Sequence, residues 1–270
     1  MTKIIAEVAS CHNGDIELAK AHAKVAKDIG IEIVKYQSWK AEYVKDSDPD
    51  KARYQKYEFT DSMHWEVKKY CDEIGIEFLS TVTRIERIPF LKELGLKKVK
   101  IASVSLSNIE LLKAAVENFE EVIASTGMQE WDTIFTAAHI LRINDTLLHC
   151  TVNYPCRLAD ANLNKLNFMK NHLLNRIGYS DHTQGIEAPI IAMSMGINYL
   201  EKHLTLSRHL PQIPHQMYEG GPYVTTHKVA NEPDVFREIV RWRDIIQKAK
   251  EAKEVNEVEK KIKERYLNRY

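Results

Sequence analysis

A (β/α)8 TIM barrel is the fold class the sequence predicts. Three observations predict it: short β-branched runs alternate with helical-period segments, the alternation repeats eight times, and glycines punctuate the junctions. The strand candidates are Lys3–Ala9, Ile31–Gln37, Ile76–Val82, Lys97–Ser103, Glu121–Gly127, Thr146–Val152, Arg176–Ser180 and Asn198–Thr205. Amphipathic stretches lie between them: Asp15–Ile29, Asp61–Ile74, Ile85–Leu94, Asn108–Asn118, Gln129–Arg142 and Gln184–Met195. Gly30, Gly75, Gly95 and Gly196 stand where a helix should stop, the place for a left-handed capping residue. Strict alternation requires parallel strands, and eight units suit a closed barrel better than an open doubly wound sheet. No GxGxxG or GxxxxGK[ST] loop follows any strand, which weakens the nucleotide-binding alternative.

Composition narrows the partners. A chain of 270 residues can bury one large core, and residues 1–252 are expected to form the catalytic barrel. Lys+Arg and Asp+Glu balance at 38 each, so nothing favours nucleic acid or a membrane surface. No apolar run is long enough to span a bilayer and Met1 leads straight into a strand, so a cytoplasmic location is expected. Cys11, Cys71, Cys150 and Cys156 form no CxxC pair and are expected as reduced thiols, Cys11 as an inert strand-end residue.

Two segments fall outside the repeat. Residues Lys40–Thr60 are long, charged and dotted with Tyr43, Tyr54 and Tyr57, which leaves a lid or a plain surface excursion open. Beyond the Pro- and Gly-rich stretch His209–Pro233, the chain becomes an extended helical run of Lys, Glu and Arg. Its end, residues 253–270, is expected as a charged C-terminal helical extension.

In a parallel barrel the C-terminal strand ends converge on one mouth. They carry Glu7; Lys35 and Gln37; Ser80 and Thr81; Lys100 and Ser103; Ser125; Asn153 and Tyr154; Ser180, Asp181 and His182; and His203. Buried lysines are costly without an anion, so Lys35 and Lys100 imply a bound phosphate or carboxylate, with the hydroxyls of Ser103, Ser125 and Ser180 completing its hydrogen bonds. The alternative is that both lysines extend outward into solvent. His182 and His203, on neighbouring strand ends beside Asp181 and Glu201, suit a divalent metal with positions open for substrate, the carboxylates orienting the imidazoles. Imidazole and oxygen donors admit manganese (Mn2+), iron, cobalt or zinc.

The ordered motifs Ile4-Ile5-Ala6-Glu7, His12-Asn13-Gly14-Asp15, Val34-Lys35-Tyr36-Gln37, Phe78-Leu79-Ser80-Thr81, Lys100-Ile101-Ala102-Ser103, Ser125-Thr126-Gly127-Met128, Asn153-Tyr154-Pro155, Ser180-Asp181-His182-Thr183 and Glu201-Lys202-His203 resemble the sialic acid (N-acetylneuraminate) synthase family. The resemblance covers about the first four-fifths of the chain. It implies condensation of phosphoenolpyruvate with an open-chain sugar aldehyde or aldose phosphate, phosphate release, a divalent metal such as manganese or magnesium, and a homodimer. It further implies phosphoenolpyruvate contacts at Lys35, Thr81, Lys100, Ser103, Ser125, Asn153 and Ser180, metal ligands at His182 and His203, sugar contacts at Gln37 and Tyr154, and an acid/base role for Glu7.

Departures from the family pattern fall on the sugar side. Ser105 and Pro214 stand where family members carry carboxylates, Val82-Thr83 replaces Pro-Phe, Cys11 replaces an asparagine, and the sequence carries no antifreeze-like domain after the barrel. The expected acceptor is therefore an aldose other than N-acetylmannosamine, with Arg208, His209, His215 and His227 as candidate groups for a phosphorylated one. A Schiff-base aldolase or lyase using Lys35 or Lys100, and a barrel that binds phosphoenolpyruvate and metal without turnover, stand as alternatives.

Overall fold

The computed structural model describes residues 1–48, 51–211, 214–216, 223–251 and 257–267. Eight parallel strands close on themselves: β1 (Lys3–Glu7), β2 (Ile33–Ser38), β3 (Glu77–Val82), β4 (Lys98–Ile101), β5 (Glu121–Ser125), β6 (Thr146–Cys150), β7 (Arg176–Asp181) and β8 (Tyr199–His203). Closure is set by β1, which pairs with β2 at Glu7 opposite Lys35 and with β8 at Glu7 opposite His203. The helices α1 (Ile16–Ile29), α2 (Lys51–Tyr57), α3 (Asp61–Ile74), α4 (Ile88–Glu93), α5 (Ile109–Asn118), α6 (Trp131–Ile140), α7 (Asn164–His172) and α8 (Glu187–Ser194) follow in order. A short antiparallel ribbon, β9 (Pro214–Gln216) and β10 (Tyr223–Thr225), leads to α9 (Thr226–Val229), α10 (Pro233–Glu251) and α11 (Glu257–Leu267).

Local chemistry explains the boundaries. Asp15 accepts hydrogen bonds from the Glu17 and Leu18 amides and starts α1, while Gly30 at φ 90° ends it; Thr60 and Gly75 do the same for α3. Gly95 and Gly196 also take positive φ, as expected. Most strands are shorter than the sequence predicts, because polar strand ends leave the ladder: Ser103 already begins a 3-10 turn after β4, although β2 and β7 each run one residue further, to Ser38 and Asp181. Three helices escape the sequence reading, α2, α7 and the single-turn α9, all short. The C-terminal run is described as two helices, with 252–256 outside the described residues. The first of them, α10, packs against α1 and α8, whereas the described α11 is exposed throughout.

The core has two parts. The larger lies between barrel and helices; the smaller, Ile5, Ile33, Leu79, Ile123, Leu148 and Tyr199, fills the barrel interior. That apolar plug excludes water from beneath the mouth, so polar groups above it must satisfy one another or a ligand. Among the described residues no helix is long and apolar enough to cross a membrane. All four cysteines are buried free thiols, and burial pushes the Cys11 pKa upward, as befits an inert residue.

Candidate active site

Side chains two apart on a strand share a face, so the residues following the interior plug toward the C-terminal ends point into the mouth. Glu7, Lys35, Lys100 and Glu201, each 5% exposed or less, meet there. Lys35 Nζ lies 2.7 Å from Glu7 Oε2 and 2.6 Å from Glu201 Oε2, charge contacts made off the hydrogen-bonding direction of those oxygens. Lys100 Nζ is 3.8 Å from Glu201 Oε1 and donates to Ser125 Oγ at 2.5 Å and the Ile101 carbonyl at 3.1 Å. Ser180 donates to Glu201 Oε1 at 2.8 Å, and Gln37 donates to Glu7 Oε1 at 3.0 Å. Ser103 Oγ accepts from the Gly127 amide at 3.0 Å, whereas the buried Thr81 hydroxyl has no partner.

The arrangement corrects two sequence expectations. First, the lysines are balanced by the protein's own carboxylates rather than requiring a bound anion, because the register sets Glu7 beside Lys35 and Ser180 beside Glu201 in one inward layer. Burial resists the Lys35 charge and brings its pKa down to about 8, with Glu201 pulling it up and Lys100 pressing it further down. Burial likewise opposes ionisation of Glu201, but Lys100 and Lys35 hold its carboxyl well below the ordinary value. Second, neither Asp181 nor Glu201 orients an imidazole. Asp181 points to the other face of β7, where it is paired with Lys202 and accepts from the Tyr179 hydroxyl at 3.0 Å.

His182 instead uses Nδ1 toward the Thr151 carbonyl at 2.7 Å, which as N–H donor leaves Nε2 free to bind a cation. His203 is half-buried, with its Nδ1 shielded and unpartnered, and its ring centre lies 5.5 Å from that of His182. Burial, then the neighbouring His182, lowers the His203 pKa to about 3, so it stays a neutral nitrogen donor. An orphaned imidazole nitrogen beside a second oriented one fits a cation with two protein donors. Among the described residues no group of three or more His, Cys, Asp and Glu gathers as a fuller ligand set.

Above this layer opens a cavity of about 340 Å³, lined by Gln37, Tyr154 and His203 together with Trp39, Arg53, Tyr54 and Tyr57. The Tyr154 ring stands 4.0 Å from His182 and 5.6 Å from His203. The structure thus brings together Glu7, Lys35, Gln37, Lys100, Ser125, Tyr154, Ser180, His182 and His203, with Thr81 and Ser103 in the same mouth. Asn153 is not in the buried layer; it is exposed between Val152 and Tyr154, which both line the cavity. The candidate phosphate-binding groups beyond β8 go elsewhere: His227 is buried against the Thr205 hydroxyl at 2.6 Å and Asn13 at 3.0 Å, and Arg208 donates to the Ala230 carbonyl. The side chain of His215 lies outside the described residues. Sequence reasoning missed Glu201 as the hub between the lysines, although alternation in Tyr199-Leu200-Glu201-Lys202-His203 places 201 and 203 on one face. The α2 wall left no comparable signal.

A closed parallel barrel with an ion-paired layer and two histidines at its C-terminal mouth is a (β/α)8-barrel enzyme. The chain is 35% identical to N,N'-diacetyllegionaminic acid synthase of Campylobacter jejuni, over 92% of this chain and 77% of that one, and 27% identical to human N-acetylneuraminate-9-phosphate synthase, over 91% and 70%. Its fold superposes on the N-acetylneuraminic acid synthetase of Leptospira borgpetersenii, solved in complex with citrate, with a TM-score of 0.86 at 29% identity, covering 99% of this chain and 91% of that one. Residues 22–254 match the NeuB family, and the chain belongs to it. It is thereby a condensing transferase of carbohydrate biosynthesis, related to synthases of several different acidic sugars.

Proposed function

We propose that the mouth joins phosphoenolpyruvate to an open-chain sugar aldehyde. C3 of the enol forms the new bond to the aldehyde carbon, water adds at C2, and the C–O bond to inorganic phosphate breaks. The observation that carries the reading is the buried layer of Lys35, Lys100, Glu7 and Glu201 directly beneath the His182 and His203 pair and an open cavity.

The donor lies low in the barrel. Lys35 and Lys100 hold its anionic groups, Ser103, Ser125 and Ser180 supply hydrogen bonds, the unpartnered Thr81 hydroxyl donates another, and Asn153 stands as a rim contact. Glu7, aimed by Gln37 and Lys35, positions or deprotonates the water that adds at C2. Gln37 and Tyr154 meet the aldose in the cavity. The four charges of the layer cancel; His182 and His203 would hold a divalent cation, manganese in this reading with magnesium, cobalt, iron or zinc as alternatives, which would supply positive charge and Lewis acidity. The acceptor is an aldose or aldose phosphate other than N-acetylmannosamine, because Ser105 and Pro214 stand where the family carries carboxylates. Residues 1–252 form the catalytic unit, and none of the described residues beyond them lines the cavity.

Phosphate release from phosphoenolpyruvate and Mn2+ across a panel of aldoses and aldose phosphates tests the reading. Release dependent on one aldose supports it. Silence with every aldose and every metal overturns it, and thermal stabilisation by phosphoenolpyruvate and metal under that silence would leave a binding barrel.

A further inference from the structure

The cavity that His203 lines is also walled by α2, through Arg53, Tyr54 and Tyr57, and by Trp39, which meets Tyr54 edge-on at 5.3 Å. Short helices on long loops hold no position by themselves, so something must seat this one. Beyond its C-terminal end, Phe59 is buried with its ring stacked on Tyr36 at 4.6 Å, and Glu58 accepts from the Ala41 amide at 2.9 Å. The helix itself rests on the first βα loop. A Cβ placed on Gly14 would fall 2.5 Å from the Lys56 carbonyl oxygen and 3.9 Å from the Tyr57 Cα, so a side chain there and α2 in this position exclude each other. Gly14 also takes φ +73°, which glycine adopts without strain. The loop is held from behind as well: Asn13 accepts from His227 at 3.0 Å and donates to the Pro211 carbonyl at 3.3 Å.

We propose that Gly14 is a positioning residue that seats α2, and that Tyr54 and Tyr57 of the seated helix form the wall against which the acceptor aldose is selected. This rests on the condensation reading of the cavity and adds a specificity element to its acceptor half. The donor half lies below, in the layer around Lys35 and Lys100, and does not involve α2.

The test compares Gly14→Ala with Gly95→Ala, a control that shares the positive φ (+81°) but has nothing within 4 Å of the added methyl. Acrylamide quenching of Trp39, taken as the difference from a Trp39→Phe background, is expected to rise in Gly14→Ala alone. The KM for the aldose is expected to rise about tenfold, with the KM for phosphoenolpyruvate unchanged, and Tyr57→Ala is expected to show the same split. Unchanged quenching, an equal rise in both KM values, or the same behaviour in Gly95→Ala overturns the proposal. Should Gly14→Ala fail to fold, Tyr54→Ala and Tyr57→Ala decide it through the KM split. Should the wild type release no phosphate with any aldose, the condensation reading and the aldose wall fall together, while quenching still decides whether Gly14 seats α2.

Discussion

Replacing Glu201 by glutamine tests the charge balance at the heart of the mouth. The wild-type layer holds two lysines and two carboxylates; Glu201→Gln keeps the shape, leaves Lys35 with Glu7 alone, and strips Lys100 of its carboxylate. Removing one partner of a buried ion pair costs about 3–5 kcal/mol, because the remaining charge stays buried without compensation. With an unfolding entropy of about 2.1 cal/mol/K per residue over 270 residues, a loss of about 3 kcal/mol lowers Tm by about 5 °C. The variant layer also carries net positive charge, so an anion that enters it should restore stability. Inorganic phosphate at about one hundred times its Kd contributes about 2.7 kcal/mol, close to the loss itself. Differential scanning fluorimetry in phosphate-free buffer, then with phosphate titrated in, measures both effects. The reasoning fails if Glu201→Gln melts within about 1 °C of wild type, or if phosphate stabilises the two proteins equally.

Three further outcomes are expected. His22, His64 and His149 are buried, and burial lowers each pKa to about 4 from an ordinary 6.5; the unfolded chain therefore binds protons the native one does not. Stability is complete above that upper value and drains away as pH falls, by about 2 kcal/mol per histidine at pH 5, and equal urea midpoints at pH 7 and pH 5 would contradict this. Chelation should abolish aldose-dependent phosphate release, divalent metal should restore it in the wild type, and His203→Ala should stay silent; full activity of the chelated enzyme would remove the metal from the reading. Borohydride added with a carbonyl substrate should label neither Lys35 nor Lys100, as both are engaged by carboxylate or hydroxyl partners; a trapped adduct on either would move the chemistry to a Schiff base.

Much of the barrel was legible in local pattern. Short β-branched runs located all eight strands, and capping residues such as Asp15 and Gly30 marked where α1 begins and ends, because both signals act between near neighbours. The pairing of the two histidines was legible too, since β7 and β8 are consecutive and parallel. The partner of each charge was not. Asp181 and Glu201 stand beside histidines in the sequence, yet pleating turns the first outward to Lys202 and the second inward to Lys35.

Strand positions, helix limits and the polar character of the mouth were thus determined by the chain itself, through contacts spanning a few residues. Tertiary structure alone decided that Lys35 meets Glu201, that His227 is consumed by Thr205 and Asn13, and that α2 comes to rest on Gly14. The physical reason is reach: periodicity and capping encode what lies one turn or one pleat away, whereas these contacts depend on barrel closure, whose register brings together residues that no local preference relates.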